Sequence, residues 1–404
     1  MKKIKSLLVV CTSLIIATSF LCCSSIKRLS HVNKLFKEDR IVDNFRTLDE
    51  YFPIKSLAPS PTPFVYTKGA LFKLPTSFVL NQNEVDSDFF LEGSKTTGLL
   101  IIQNDEIILE EYYLGNTEDT QNIAWSVSKS FISVLFGIAI DEGYIKSVEE
   151  KVGAYVPELK ESAYGDVRIK DVLQMSSGVK FNEDYGSFFS DINRWGRSFA
   201  LGKSQDKFVG TLDREVESGT YHHYVSIDTH VLGMIISRAT KRSITDYMQE
   251  KLWNPLGMEF EGCWITDNDG VEAAMCGLSL CLRDFAKLGS LYAHKGMWNG
   301  TRIISEKYIY ESTTPDSPHI MPGDNNPNSS HSLGYGYQWW IPNGTDGEIL
   351  AQGVYNQTIY MNPTTQTIIV KLSANDKYND GNYIPSQWQA EMAFNREIVK
   401  QLGK

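Results

Sequence analysis

Strand patterns at the two ends of the chain, with a long helical stretch between them, constrain this sequence more than any other feature. Residues 98–103 and 106–113 are apolar, β-branched runs flanking Asn104-Asp105, which predicts a hairpin with a two-residue turn. The strand period returns at 335–341, 357–361 and 367–373, the last two joined across Asn362-Pro363-Thr364-Thr365. Helical patterns fill the interval at 126–143, 169–175, 227–240, 244–253 and 282–294, and a final helix is predicted over 386–402. The simplest assembly is one antiparallel sheet built from both chain ends and flanked by helices, with an all-helical lobe of about 150–280 inserted: an α/β (α+β) fold. The 404 residues are enough for this arrangement. A site would form in the cleft between the lobes.

The first helix carries the chemistry. Ser126 and Lys129 are three residues apart, one helical turn, so the ammonium stem reaches the hydroxyl. A serine hydroxyl needs a base to become a nucleophile. A lysine serves as that base only if its pKa falls, and burial lowers it. Val127, Phe131, Val134, Leu135 and Ile138 form one apolar stripe, and Ile132, Phe136 and Ile140 fill much of the rest. A helix apolar almost all round is an interior helix. The bland alternative is a capping serine followed by a solvated lysine.

Downstream residues complete the constellation. Tyr224 follows a Gly-Thr turn and precedes Ser226 by two residues. Beside a buried lysine, a tyrosine held partly as phenolate serves as general acid or base; otherwise it is a packed aromatic. His222, His223, His230 and Asp228 match no regular zinc spacing, and His222 and His223 read as rim or structural residues. Gly353, on a late strand, allows close backbone approach, and an N–H there with that of Ser126 would make an oxyanion hole. The sequence holds no CxxC pair, HExxH or phosphate-loop motif, so no cofactor or metal is expected.

A net charge of −10 argues against nucleic acid as a partner. At the N-terminus, Lys2, Lys3 and Lys5 precede an apolar run over 7–21 that ends at Cys22-Cys23. This reads as an export segment over residues 1–25: a cleaved signal, a bacterial lipoprotein site at Cys22 or Cys23, or an uncleaved membrane anchor. The expected location is the periplasm or the membrane surface. Residues 26–94, with Pro53, Pro59, Pro61 and Pro63, read as an extension with extended or irregular wrapping. Cys263, Cys276 and Cys281 are buried thiols or include one disulfide.

The stretches around 125–131, 175–179, 252–258, 334–340 and 353–357, taken with Ser126-x-x-Lys129, Tyr224-x-Ser226 and Gly353 in that order, resemble the serine β-lactamase and penicillin-binding-protein superfamily. The closer similarity is to its class C-like branch, with carboxylesterases and 6-aminohexanoate-dimer hydrolases. The resemblance spans about 95–375; the hydrolase domain is taken as 95–404. It implies a β-lactamase/transpeptidase-like fold and an acyl-enzyme on Ser126, with Lys129 and Tyr224 moving protons. It further implies that the N–H groups of Ser126 and Val354 hold the oxyanion. Tyr185, on the loop after 181, sits where relatives carry a tyrosine that assists amide cleavage. Ser226 replaces an asparagine and Ala351 a lysine of true β-lactamases. Those replacements favour uncharged or differently charged esters and amides; the expected partner is a small-molecule ester, amide or peptide substrate. The alternatives are a penicillin-recognising D,D-peptidase or β-lactamase, or a non-catalytic cell-wall-binding relative.

Overall fold

The computed structural model describes residues 27–344 and 346–403. The apolar N-terminal segment with Cys22 and Cys23 lies outside the described residues. Among those described, no helix is long and apolar enough to cross a membrane.

An eight-stranded sheet draws on both chain ends. Its strands are β1 (Thr67–Lys68), β2 (Thr96–Gln103), β3 (Glu106–Tyr112), β4 (Gly334–Tyr335), β5 (Trp340–Ile341), β6 (Ile349–Gly353), β7 (Gln357–Asn362) and β8 (Thr367–Ser373). They run in the order β4-β5-β6-β7-β8-β2-β3-β1. The two chain ends meet where β8 lies antiparallel to β2, with Ile369 opposite Ile101. The hairpin between β2 and β3 turns on Asn104 and Asp105, both at positive φ (50° and 63°), as a two-residue turn of this twist requires. All pairings are antiparallel except the edge, where β1 runs parallel to β3. The pattern at 335–341 predicts one strand; two short ones form instead, because Gln338 turns at φ 63° and donates its backbone N–H to Leu173 O.

Four helices matter for the site: α1 (Ser128–Asp141), α2 (Ser226–Thr240), α3 (Leu282–Ala293) and α4 (Trp388–Leu402). Opposite faces of β8 carry different layers, because side chains alternate along a strand. Ile368 packs under α3, where a Cβ on Gly289 would lie 2.8 Å from Ile368 Cγ2. Lys371 faces α4 and pairs with Glu391 at 3.0 Å, both buried. Hydroxyls on α1 pin it to the loop between β4 and β5: Ser130 donates to Gln338 O and Ser133 to Tyr337 O, each at 2.7 Å.

Two expectations change. Helices and turns fill the lobe to Leu256, but Gly262–Ile265 and Leu278–Leu280 are strands. Gly262–Ile265 is buried on both faces and shows no alternation, and Leu278–Leu280 is too short, at three residues, for its alternation to mark a strand. The extension is also more ordered than its prolines suggest. Ile54–Leu57 pairs antiparallel with Gly262–Ile265, and Leu35, Ile41, Phe45, Leu48 and Phe52 are buried against the body.

Candidate active site

Ser126 sits in a tight turn, Trp125–Val127, at the foot of α1 rather than within the α-helix itself. Trp125, just before it, is held at φ 46°, an uncommon conformation for a bulky residue that the surroundings must enforce. Phe45, from the extension, packs edge-on to Trp125 at 5.3 Å. The one-turn spacing survives: Lys129 Nζ is 2.9 Å from Ser126 Oγ. Nζ also donates to Met275 O at 2.7 Å. That carbonyl only accepts, so it fixes an N–H and leaves the other side of the nitrogen aimed at the serine. Lys129 is buried, and loss of hydration lowers its pKa to about 8, with Glu183 and then Cys276 pulling the other way.

The hydroxyls of Ser126 and Ser226 both interact with that of Tyr224 and draw its pKa down. Its ring stacks on Trp340 at 5.3 Å, which fixes the hydroxyl's direction. Burial first, then the charge of Glu183, push its pKa well above the ordinary value. The phenolate expectation is therefore not favoured: desolvation and the Glu183 charge hold Tyr224 toward its protonated form, although Lys129 Nζ lies 5.3 Å from its ring centroid. Of the pair, Lys129 is the group able to accept a proton near neutral pH, and Tyr224 the group able to relay one.

Gly353 ends β6 against the Ser126 turn. A Cβ there would lie 2.7 Å from Ala124 O and 3.2 Å from Ser126 N. Only a glycine lets the strand bring the Val354 backbone beside Ser126. The turn that follows is held by Tyr355 and Asn356 at φ 64° and 65°, and Asn356 accepts a 2.8 Å hydrogen bond from Asn375.

Two cavities open from Ser126, and Tyr185 and Val354 line both. One is a polar cleft of about 380 Å³ with Glu183, His223, Tyr224, Gln352, Tyr378 and Trp388 on its walls. The other is an apolar chamber of about 110 Å³ bounded by Phe36, Leu48, Phe52, Trp195, Phe199 and Met275. Three of those six come from the extension. Ser226 and Lys129 border the chamber, whereas Tyr224 borders only the cleft.

Sequence reasoning passes over Glu183. Its acid stands in a polar loop, yet it is half-buried beside Lys129, Tyr224 and Tyr185. Ser226 donates its backbone N–H to Glu183 Oε1 at 2.6 Å, and Tyr185 donates its hydroxyl to Oε2 at 3.3 Å. Burial raises the Glu183 pKa, with Lys129 and the Ser226 N–H opposing. The four polar residues around 222–230 go to separate partners. His222 meets Ser329 at 2.9 Å, His223 meets Phe181 O at 3.1 Å, His230 meets Asp206 at 2.9 Å, and Asp228 accepts from Tyr164 at 2.6 Å. Cys263, Cys276 and Cys281 are free, buried thiols.

The sequence matches the family model Beta-lactamase over residues 92–389, well over half of the chain. It is 28% identical over 291 residues to the 6-aminohexanoate-dimer hydrolase of Paenarthrobacter ureafaciens, covering 70% of this chain and 74% of that one. A solved Bacillus anthracis structure provisionally named as a 6-aminohexanoate-dimer hydrolase superposes with a TM-score of 0.79 at 21% identity, over 91% of this chain and 96% of its own. EstCE1, a hydrolase with promiscuous acyltransferase activity, superposes with a TM-score of 0.58 at 14% identity, over 77% and 95% of the two chains. At those identities the structures speak to the fold alone. The chain belongs to the Beta-lactamase family and has the fold of its hydrolases.

Proposed function

We propose that this protein is an exported serine hydrolase that cleaves small esters or amides through an acyl-enzyme on Ser126. One observation carries the reading: a desolvated amine, Lys129 Nζ, lies 2.9 Å from Ser126 Oγ. Neutral Lys129 takes the Ser126 proton as Oγ bonds to the substrate carbonyl carbon. The N–H groups of Ser126 and Val354 receive the oxyanion. The C–O or C–N bond then breaks, and the leaving group takes a proton through Tyr224, replaced from Lys129. Water adds to the acyl-enzyme with Lys129 again accepting a proton. Acid leaves, Ser126 is restored, and one water has been consumed.

The leaving group must reach Tyr224, which faces the polar cleft; the acyl chain then takes the apolar chamber. This favours an uncharged, short acyl chain, since a charged tip would be desolvated there without a partner. The cleft is lined by no Lys or Arg among the described residues. With the cleft acid Glu183, that argues against a substrate anchored by its carboxylate, as a penicillin-recognising enzyme would require.

The test is an active-site serine probe run beside p-nitrophenyl acetate and butyrate. Wild type is expected to be labelled and to hydrolyse both, and Ser126→Ala to do neither. A folded wild type that stays unlabelled, or a Ser126→Ala protein labelled equally, would overturn the reading. Export rests on residues 1–25 and is tested by cell fractionation; recovery from the cytosol counts against it.

A further inference from the structure

The loop that carries Tyr185 into the site continues into Phe188 and Phe189, which are 64% and 88% exposed. Adjacent phenylalanines this open on a chain of ordinary composition call for an explanation. They are not alone. The helix Asp191–Ala200 that follows turns Ile192, Trp195 and Phe199 inward to the chamber. Its other face carries Arg194 and Arg197. Arg197 lies over the Phe188 ring at 3.9 Å and donates to Phe188 O at 2.7 Å, so the aromatic tip is braced by a cation.

Arg194 and Arg197 border a shallow groove together with Lys203 and Lys207, both exposed, and with Leu201, 41% exposed. Asp269 is the one acidic residue on its walls. Of the neighbouring acids, Asp191 is paired with Arg194, and Asp206 with His230 and Arg238. A net positive face on a chain of net charge −10 is a local arrangement, not a consequence of composition.

The described chain also begins beside this groove. Arg28 donates to Asn268 Oδ1 at 3.0 Å, and Asn268 adjoins the Asp269 of the groove wall. A Cβ on Gly202, another groove residue, would sit 2.2 Å from Asn268 Nδ2. Arg28, near the start of the described residues, is therefore tied to the rim of the groove that carries the cations.

We propose that this face lies on an anionic lipid surface, with Phe188 and Phe189 in the headgroup–acyl boundary and Arg194, Arg197, Lys203 and Lys207 at the headgroups. An aromatic tip joined through Arg197 to a basic groove suits that boundary, the rings partitioning inward and the cations meeting lipid phosphates. A second copy of this chain would present the same positive charge and is disfavoured by repulsion.

The experiment uses the full chain on vesicles of 80% phosphatidylcholine and 20% phosphatidylglycerol with brominated acyl chains. Phe189→Trp and, as a reporter on another exposed aromatic, Tyr310→Trp (65% exposed) are compared with wild type by difference fluorescence. Bromine is expected to quench the added signal of Phe189→Trp at least twofold and to leave that of Tyr310→Trp unchanged. Lys203→Glu with Lys207→Glu, both at exposed positions, is expected to cut the quenching in the Phe189→Trp background by half or more. Pure phosphatidylcholine should do the same. Equal quenching of the two reporters overturns the proposal, as does quenching of Phe189→Trp that is indifferent to phosphatidylglycerol and to charge reversal. A lipid-free blue shift of Phe189→Trp that grows with protein concentration assigns the face to a second copy instead and also overturns it.

Discussion

Glu183 accepts a 2.6 Å hydrogen bond from the backbone N–H of Ser226, the first residue of α2. The contact holds a half-buried carboxylate beside Lys129, where its charge works against the desolvation of that lysine. It sets how available the lysine is as a base. Lys129 is held near 8, so kcat/KM should rise about tenfold per pH unit up to that value and then level, as neutral lysine accumulates. Glu183→Gln keeps the acceptor oxygen and removes the charge. The lysine pKa should fall further, by about one unit, moving the inflection to lower pH. A pH–rate profile on a neutral ester checks both; an unmoved inflection would separate Glu183 from Lys129.

Tyr224 is held toward its protonated form, and its hydroxyl interacts with those of Ser126 and Ser226. Tyr224→Phe should reduce amide hydrolysis by about 10²–10⁴-fold. p-Nitrophenyl esters should suffer much less, because their leaving group departs as an anion without a donated proton. The ratio of anilide to ester kcat is the measurement, and equal losses would remove the relay role.

Gly353→Ala places a methyl 2.7 Å from Ala124 O and 3.2 Å from Ser126 N. Either backbone must give way, and the paired N–H groups separate. A loss of about 10²–10³-fold in kcat is expected, the scale of one missing oxyanion donor. KM and the melting temperature should change far less, which kinetics and calorimetry on one preparation decide.

Gly196 lines the chamber on the same helix face as Ile192 and Phe199, and a Cβ there meets nothing within 4 Å. Gly196→Leu fills open space in a helix that tolerates leucine well. Wild type should prefer hexanoate to acetate esters, each buried methylene contributing about 0.8 kcal/mol. The variant should lower the hexanoate-to-acetate ratio of kcat/KM by about tenfold or more. A ratio unchanged by the leucine would place the acyl chain elsewhere.

Much of the site was legible because its parts are local or ordered. Ser126 and Lys129 lie one turn apart, and that distance survived although the serine sits in a tighter turn than an α-helix. Asn104-Asp105 announced its hairpin by turn chemistry alone. Gly353 marked a close approach that the strand then made. Glu183 stayed hidden because nothing in its neighbours distinguishes a solvated acid from one folded under α2. The strand at 262–265 stayed hidden because a strand covered on both faces loses its alternation, and that at 278–280 because three residues are too few to show a period.

The sequence by itself determined the pairing of Ser126 with Lys129, the interior character of α1 and the origin of the sheet at both chain ends. Each follows from spacing, polarity or turn preference within a few residues. Only the tertiary structure decided that Tyr224 is held toward its protonated form, that a carboxylate stands beside the lysine, and that Phe36, Leu48 and Phe52 of the extension wall an apolar chamber at Ser126. Those depend on desolvation and on contacts between residues far apart in the chain, and burial is a property of the packed molecule rather than of any stretch within it.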